Sequence, residues 1–168
     1  ISGNRPRVRG MISGRGIAHV NGYSKVPGAM ITHLCDVDER LFPGMVAEVE
    51  KLYGEKPKTE PDFRRLLDNK DIQVISIATP DHWHGLHTIW ACQAGKDVCV
   101  EKPVSHNIWE GRKMVEAAEK YNRIVQADLD MRSNPKTEAA VKYIQSGSLG
   151  KIEFCHSWVY KRRTSMGK

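Results

Sequence analysis

Short, densely apolar runs alternate with longer amphipathic ones along most of the chain, and that alternation predicts the order of its elements. Arg7 to Ile12 reads as a strand. It is followed by the glycine-bearing turn Ser13-Gly-Arg-Gly16 and by a helix from about Ile17 to Val26, closed by Pro27-Gly28. Ala29 to Cys35 is a second strand, ending at Asp36. Arg40 to Tyr53 places Leu41, Met45, Val49 and Leu52 at helical spacing, with Gly54 as its stop. After a Pro-containing loop come a short helix over Asp62 to Asp68 and an unbroken apolar strand, Val74 to Ala78, that ends at Thr79-Pro80. Runs without alternation suit central parallel strands covered on both faces. Residues 84–94 are helical and Gly95 ends them. The next strand starts at Asp97, buries Val98, Cys99 and Val100, and stops abruptly on Glu101-Lys-Pro103. Asn107 with Glu110 forms a capping pair for a helix over Ile108 to Tyr121, and Ile124 to Ala127 is another short strand. Strand and helix in alternation, joined by connections of a few residues, predict an α/β fold: a doubly wound parallel sheet with right-handed crossovers.

The last quarter changes period. Lys136 to Gln145 is an amphipathic helix stopped by Ser146-Gly147. From Ile152 to Tyr160 apolar or aromatic residues alternate with the rest, which predicts a strand with two different faces. Such a strand continues a buried parallel sheet poorly and suits the start of another structure. The expected organisation is therefore one doubly wound domain over residues 1–130, then a linker helix and the first strand of an incomplete second domain over 131–168. An unpaired apolar edge at Ile152 to Tyr160 would invite self-association into a homo-oligomer.

Composition narrows the partners. The 168 residues carry a formal charge of +6, with much of the excess at the two ends, in Arg5, Arg7 and Arg9 and in Lys161, Arg162 and Arg163. No basic helix interleaved with aromatics lies between them, so nucleic acid is not an expected partner, whereas phosphate-bearing small molecules are well served. Cys35, Cys92, Cys99 and Cys155 form no C-x-x-C pair, and a reducing compartment is the default. No stretch reaches transmembrane length and no membrane partner is expected. The cytoplasm is the expected location, with the periplasm as the alternative if a signal peptide was removed upstream of Ile1.

Candidate chemistry collects at predicted carboxyl ends of strands, the edge where open parallel sheets bind ligands. The first strand, its turn and helix, with Asp36 lying 20 residues beyond Gly16, have the anatomy of a dinucleotide-binding unit. Gly14 and Gly16 would let the backbone approach a pyrophosphate, Arg15 would contact a phosphate or solvent, and Asp36 would accept both ribose hydroxyls. Ser13-Gly-Arg-Gly-Ile-Ala18 does not spell G-x-G-x-x-G, a tight turn alone would explain two glycines, and Asp38 could be the ligand in place of Asp36. Thr79-Pro-Asp-His-Trp-His84 would bring His82 and His84 level with Glu101-Lys102, so that two histidines and a lysine face one crevice; one histidine could equally cap the helix or pack beside Trp83. His82 and His84 stand two apart without a third ligand, so no metal site is expected. Lys102 is the catalytic candidate, because a lysine near a nicotinamide can hold a substrate hydroxyl and stabilise its oxygen as hydride leaves. The plain alternative for Glu101 and Lys102 is a solvated loop bearing a surface charge pair.

Four segments in this order and spacing resemble the glucose-fructose oxidoreductase, inositol dehydrogenase and MocA (Gfo/Idh/MocA) family. They are Cys35-Asp-Val-Asp38, Ala78-Thr-Pro-Asp-His-Trp-His84, Ala94-Gly-Lys-Asp-Val-Cys-Val-Glu-Lys-Pro103 and Gly147-Ser-Leu-Gly-Lys151. The resemblance runs from about Arg7 to Lys168, and Glu-Lys-Pro is its most specific element. It implies an NAD(P)-binding Rossmann domain followed by an α+β substrate domain, NAD as cofactor with NADP as the alternative, and hydride transfer to or from a hydroxyl of a sugar, sugar derivative or cyclitol. By position it assigns Gly14 and Gly16 to the pyrophosphate turn and Asp36 to the ribose. Thr79, Pro80, His84 and Gln126 fall along the cofactor, and Glu101, Lys102 and Pro103 form the signature whose lysine stands beside nicotinamide and substrate. Relative to the family pattern, Ser13 stands where a glycine is usual in a turn shorter by a residue or two, Asp128 and Asp130 stand where small or neutral residues are usual, and only the first strand of the second domain is present. An Asp128 that points into the crevice would pair with Lys102; otherwise both acids are solvated. The alternative reading of the whole is an altered nucleotide-binding module that turns over no substrate.

Overall fold

The computed structural model describes residues 15–160 in full and residues 7–11 as backbone. Six strands form one sheet: β1 (Arg7–Met11), β2 (Met30–Cys35), β3 (Lys58–Glu60), β4 (Val74–Ile77), β5 (Asp97–Glu101) and β6 (Val125–Asp128). Every pairing is parallel and the order is β3-β2-β1-β4-β5-β6, the Rossmann arrangement. The order reverses at β1 and β4, which opens a crevice outside the carboxyl ends of the strands.

Between the strands run α1 (Gly16–Tyr23), α2 (Phe42–Tyr53), α3 (Phe63–Leu67), α4 (His84–Gln93) and α5 (Ile108–Lys120). Their ends follow local chemistry. Gly54 terminates α2 at φ 74° and Gly95 closes the turn after α4 at φ 74°, a left-handed conformation that a Cβ would strain. Asn107 caps α5 by accepting the Glu110 N–H while its own amide donates to the Glu110 carboxylate. One buried cluster gathers Ile75 and Ile77 of β4, Val98 and Val100 of β5, Ala91 and Cys92 of α4, and Met114 and Ala117 of α5. A second packs Val20, Ile31, Leu34, Phe42 and Val49 between α1, β2 and α2.

The strand β3 was not predicted. Lys58, Thr59 and Glu60 have no apolar period, and they pair only with His33–Cys35 at the sheet's edge. The chain divides into two compact units, residues 1–129 and 130–168. In the second, a 3-10 turn at Asp130–Ser133 leads into α6 (Pro135–Gln145), whose first turn is capped by Asn134. The strand expected over Ile152 to Tyr160 is not formed: residues 151–160 are neither helix nor strand, and Phe154, Trp158 and Tyr160 are exposed. Alternation marks a two-faced strand, but a strand exists only with a neighbour to accept its hydrogen bonds, and none of the described residues supplies one.

Candidate functional site

Glu101 is the last residue of β5 and is almost wholly buried, at 3% exposure. A buried carboxylate needs partners on both oxygens. Its Oε1 accepts from Arg15 Nε at 2.8 Å and lies 3.3 Å from His19 Nε2, while Oε2 accepts the Lys102 N–H at 3.0 Å. Burial pushes the Glu101 carboxyl up, but the bonds from Arg15, His19 and the Lys102 N–H outweigh it and hold the group below the usual carboxylate range.

His19 is equally enclosed and comes from the middle of α1. Its Nδ1 lies 2.5 Å from Ser76 Oγ on β4, and its Nε2 is also 3.3 Å from Asp128 Oδ2. Asp128 is the ladder partner of Glu101 across β5 and β6, so the Nε2 hydrogen is shared between two neighbouring carboxylates. Tyr23, one helical turn beyond His19, stands edge-on to the imidazole and hydrogen-bonds to Cys99 and Ser76. Burial raises the Tyr23 phenol and the Cys99 thiol above their ordinary values, and Asp128 adds to both shifts. His19, Glu101 and Asp128 have the donor types of a metal site and lie close together, yet the Arg15 guanidinium already claims Glu101 Oε1.

Lys102 itself is exposed. Its backbone is tied to Glu101, while its ammonium has no hydrogen-bond or ion-pair partner among the described residues. The Asp128–Lys102 pair considered from the sequence is therefore not formed, and His19 takes that carboxylate instead. The Lys102-Pro103 peptide is cis, and the Pro103 carbonyl meets His84 Nδ1 at 2.7 Å. His84 Nε2 is 2.8 Å from the Thr79 carbonyl, and the ring is 1% exposed. His84 is thus enclosed by backbone and presents no ring nitrogen to the crevice. The expected pair of crevice histidines is not formed, because His82 is exposed beside Asp81 and Trp83.

The other predicted residues are distributed along the same edge. Gly16 opens α1 and is buried; Arg15, just before it, provides no side-chain cap, and Gly14 lies outside the described residues. Asp36 follows β2, half-buried, with Oδ1 accepting the Asp38 N–H at 2.9 Å and no partner for Oδ2 among the described residues. Asp38 is committed to Arg40 through its side chain and backbone. Thr79 Oγ1 is buried with no hydrogen-bond partner among the described residues, and Pro80 beside it is exposed. Gln126 pairs with Cys99, two residues short of Glu101, and its amide folds onto the Ala127 carbonyl. It is not brought to the Glu101 cluster. His19 was missed from the sequence. The available signals were an imidazole among small and apolar positions of α1 and the serine that interrupts the apolar run of β4.

These residues fit a nicotinamide dinucleotide. The first turn of α1 has N–H groups without a side-chain cap, Asp36 has an oxygen to give, and the Thr79 hydroxyl lacks a partner.

Comparison with known proteins identifies the family. The Gfo/Idh/MocA family model, described as an oxidoreductase family with an NAD-binding Rossmann fold, matches residues 10–129. Levoglucosan dehydrogenase of Pseudarthrobacter phenanthrenivorans is 32% identical over 149 residues, which is 85% of this chain and 38% of that protein. The crystal structure of myo-inositol 2-dehydrogenase from Lactobacillus plantarum is similar with a TM-score of 0.77 and 26% identity, over 88% of this chain and 43% of its own. A levoglucosan dehydrogenase structure in complex with NADH and levoglucosan gives a TM-score of 0.72 and 27% identity, over 87% of this chain and 40% of its own. The chain thus spans less than half the length of these relatives.

Proposed function

The chain belongs to the NAD-binding Gfo/Idh/MocA family of oxidoreductases, and on that premise we propose that it is the nucleotide-binding part of an NAD-dependent dehydrogenase acting on a hydroxyl of a sugar, sugar derivative or cyclitol. The observation that carries this reading is Lys102, whose peptide is locked through Glu101 at the end of β5 while its ammonium has no partner among the described residues. Bound NAD+ would supply the hydride acceptor. Backbone N–H groups at Arg15 and Gly16 would face the pyrophosphate, Asp36 would hold the ribose hydroxyls, and Thr79 and Pro80 would line the cofactor. Lys102 would hold the substrate hydroxyl by donating to its oxygen and would stabilise the negative charge that builds there as the hydroxyl proton leaves to solvent, before the hydride passes to NAD+ and the oxygen becomes a carbonyl. The Asp36 carboxylate would repel a 2'-phosphate, which favours NAD over NADP.

Relatives named as levoglucosan dehydrogenase and myo-inositol 2-dehydrogenase support a sugar, sugar derivative or cyclitol as substrate. No helix among the described residues is long and apolar enough to cross a membrane. We propose the cytoplasm as its location, in keeping with cysteines that form no disulfide among the described residues, and self-association at Ile152 to Tyr160, whose aromatic residues are exposed.

Calorimetric titration of the 168-residue chain with NAD+ and with NADP+ tests the reading. Saturable binding that prefers NAD+ and is weakened in Asp36→Ala supports it, and absence of binding by either overturns it. A second reading, a nucleotide-binding module without turnover, is favoured by the lack of any sheet among the described residues of the second unit. Binding of NAD+ with no NADH formed from a panel of levoglucosan, myo-inositol and simple hexoses would select it.

A further inference from the structure

A backbone carbonyl oxygen can only accept a hydrogen bond, and a neutral imidazole carries a single N–H. His84 has a carbonyl at each end: Pro103 O at 2.7 Å from Nδ1 and Thr79 O at 2.8 Å from Nε2. The ring is sealed from solvent, so no bulk water can intervene. A neutral ring would direct a lone pair at one of these oxygens inside the protein, leaving both without a partner. We propose that His84 is a positioning residue that donates from both ring nitrogens at once, as the imidazolium, and thereby clamps the loop bearing Lys102 to the end of β4. This rests on the reading of Lys102 as the group that meets the substrate.

The topology explains why a clamp is useful there. β5 ends at Glu101, so beyond that residue the sheet no longer supports the chain. Glu101 fixes the Lys102 N–H on the upstream side of the lysine, and His84 fixes the Pro103 carbonyl on the downstream side. Lys102 is held between two anchors that come from different elements, α1 and the start of α4. The α4 dipole opposes a cation at this end, and two charge-assisted bonds to carbonyls offset it. His87, on the next turn, adds no second cation: burial first, and the neighbouring His84 second, hold its pKa down to about 4. His82 and Asp81 lie in the preceding turn, paired with each other at 3.8 Å.

The direct test is imidazole NMR on the 13C,15N-labelled chain at neutral pH, with the His84 ring signals assigned through bonds from its own backbone amide. Hydrogens on both Nδ1 and Nε2, each coupled to a backbone carbonyl, are the expected result. A single ring N–H overturns the proposal, and this measurement needs no variant to fold and no cofactor to bind. The consequence for Lys102 is read separately. In His84→Gln, amide exchange at Lys102 and Val104 should accelerate by roughly tenfold while exchange in β4 is unchanged, since one anchor of an otherwise intact loop is lost. With lysines dimethylated using 13C-formaldehyde, the Lys102 methyl signal should shift on NAD+ saturation in the parent chain and fail to shift in His84→Gln, with Kd for NAD+ within about twofold. An unaltered Lys102 response in the variant overturns the positioning role. If the parent chain fails to bind NAD+, the functional reading falls, and the ring hydrogens and the exchange rates still decide the clamp.

Discussion

Two loops at the same edge of the sheet are held in opposite ways. The turn after β2 closes on itself: Asp36 accepts the Asp38 N–H, and Asp38 accepts from the Arg40 backbone and guanidinium, every bond spanning two residues. The loop after β5 is held from afar, by Arg15 and His19 on one side of Glu101 and by His84 on Pro103. The first arrangement leaves a carboxylate oxygen of Asp36 open, suited to taking up a ligand's hydroxyls without disturbing the fold. The second fixes a backbone against several elements and leaves only the Lys102 ammonium to move. On the proposed function, one loop would receive the cofactor and the other would hold Lys102 at a set height above the crevice.

Breaking the contrast at its strongest point means removing the charge of Glu101. Glu101→Gln should lower stability at pH 7 by about 2 kcal/mol, because bonds to a buried ionised group are lost and the exposed Arg15 contributes little of the sum. Urea melts measure it, and their pH dependence identifies the cause. The folded carboxyl sits below its ordinary 4.5, so its contribution is present above that value and is lost as pH falls through the folded pKa. The gap between parent and variant should therefore close in acid. A gap that persists there would assign the effect to packing rather than to charge.

Next in size, Asp36→Ala should weaken NAD+ binding by about tenfold or more while lowering the unfolding free energy from urea melts by less than about 0.5 kcal/mol, as befits a loop bonded only to itself. An equal loss of stability would erase the difference between the two loops. Asp128→Asn should cost under about 1 kcal/mol, since its side chain is 30% exposed and His19 keeps Glu101. The same variant should speed alkylation of Cys99 slightly, because Asp128 is one of the groups that raise that thiol. Smallest of all, Asp38→Asn should leave both melting and NAD+ affinity unchanged within error, as its ion pair is with a largely exposed Arg40 at the surface. A measurable loss of NAD+ affinity in Asp38→Asn would make Asp38, not Asp36, the ribose ligand.

The same distinction separates what could be read from the residues in order from what could not. Five of the six strands, with Asp36, Thr79 and Glu101-Lys102 at their carboxyl ends, were legible because apolar runs and Gly, Pro and Asn punctuation act over a few residues. β3 escaped because an edge strand of Lys58, Thr59 and Glu60 buries too little to leave a pattern. The strand over Ile152 to Tyr160 erred in the other direction, since its alternation records a face but cannot provide the partner that makes a ladder. His19 with Glu101, and His84 with Pro103, join residues 82 and 19 positions apart. No local period encodes such contacts, and His84, read as part of a cofactor wall, instead lies enclosed by two carbonyls.

Glu101 carries a consequence for anyone who would transplant the lysine. Moving Glu101-Lys-Pro103 into the equivalent loop of another parallel sheet would carry over the letters without their supports, because the residues that hold the tripeptide sit on α1 and at the start of α4. A successful graft would need at least Arg15, His19 and His84 in matching places, six residues scattered over nearly ninety positions. The smallest transferable unit is thus a constellation rather than a segment, and a library that randomises the loop alone would sample lysines that point everywhere.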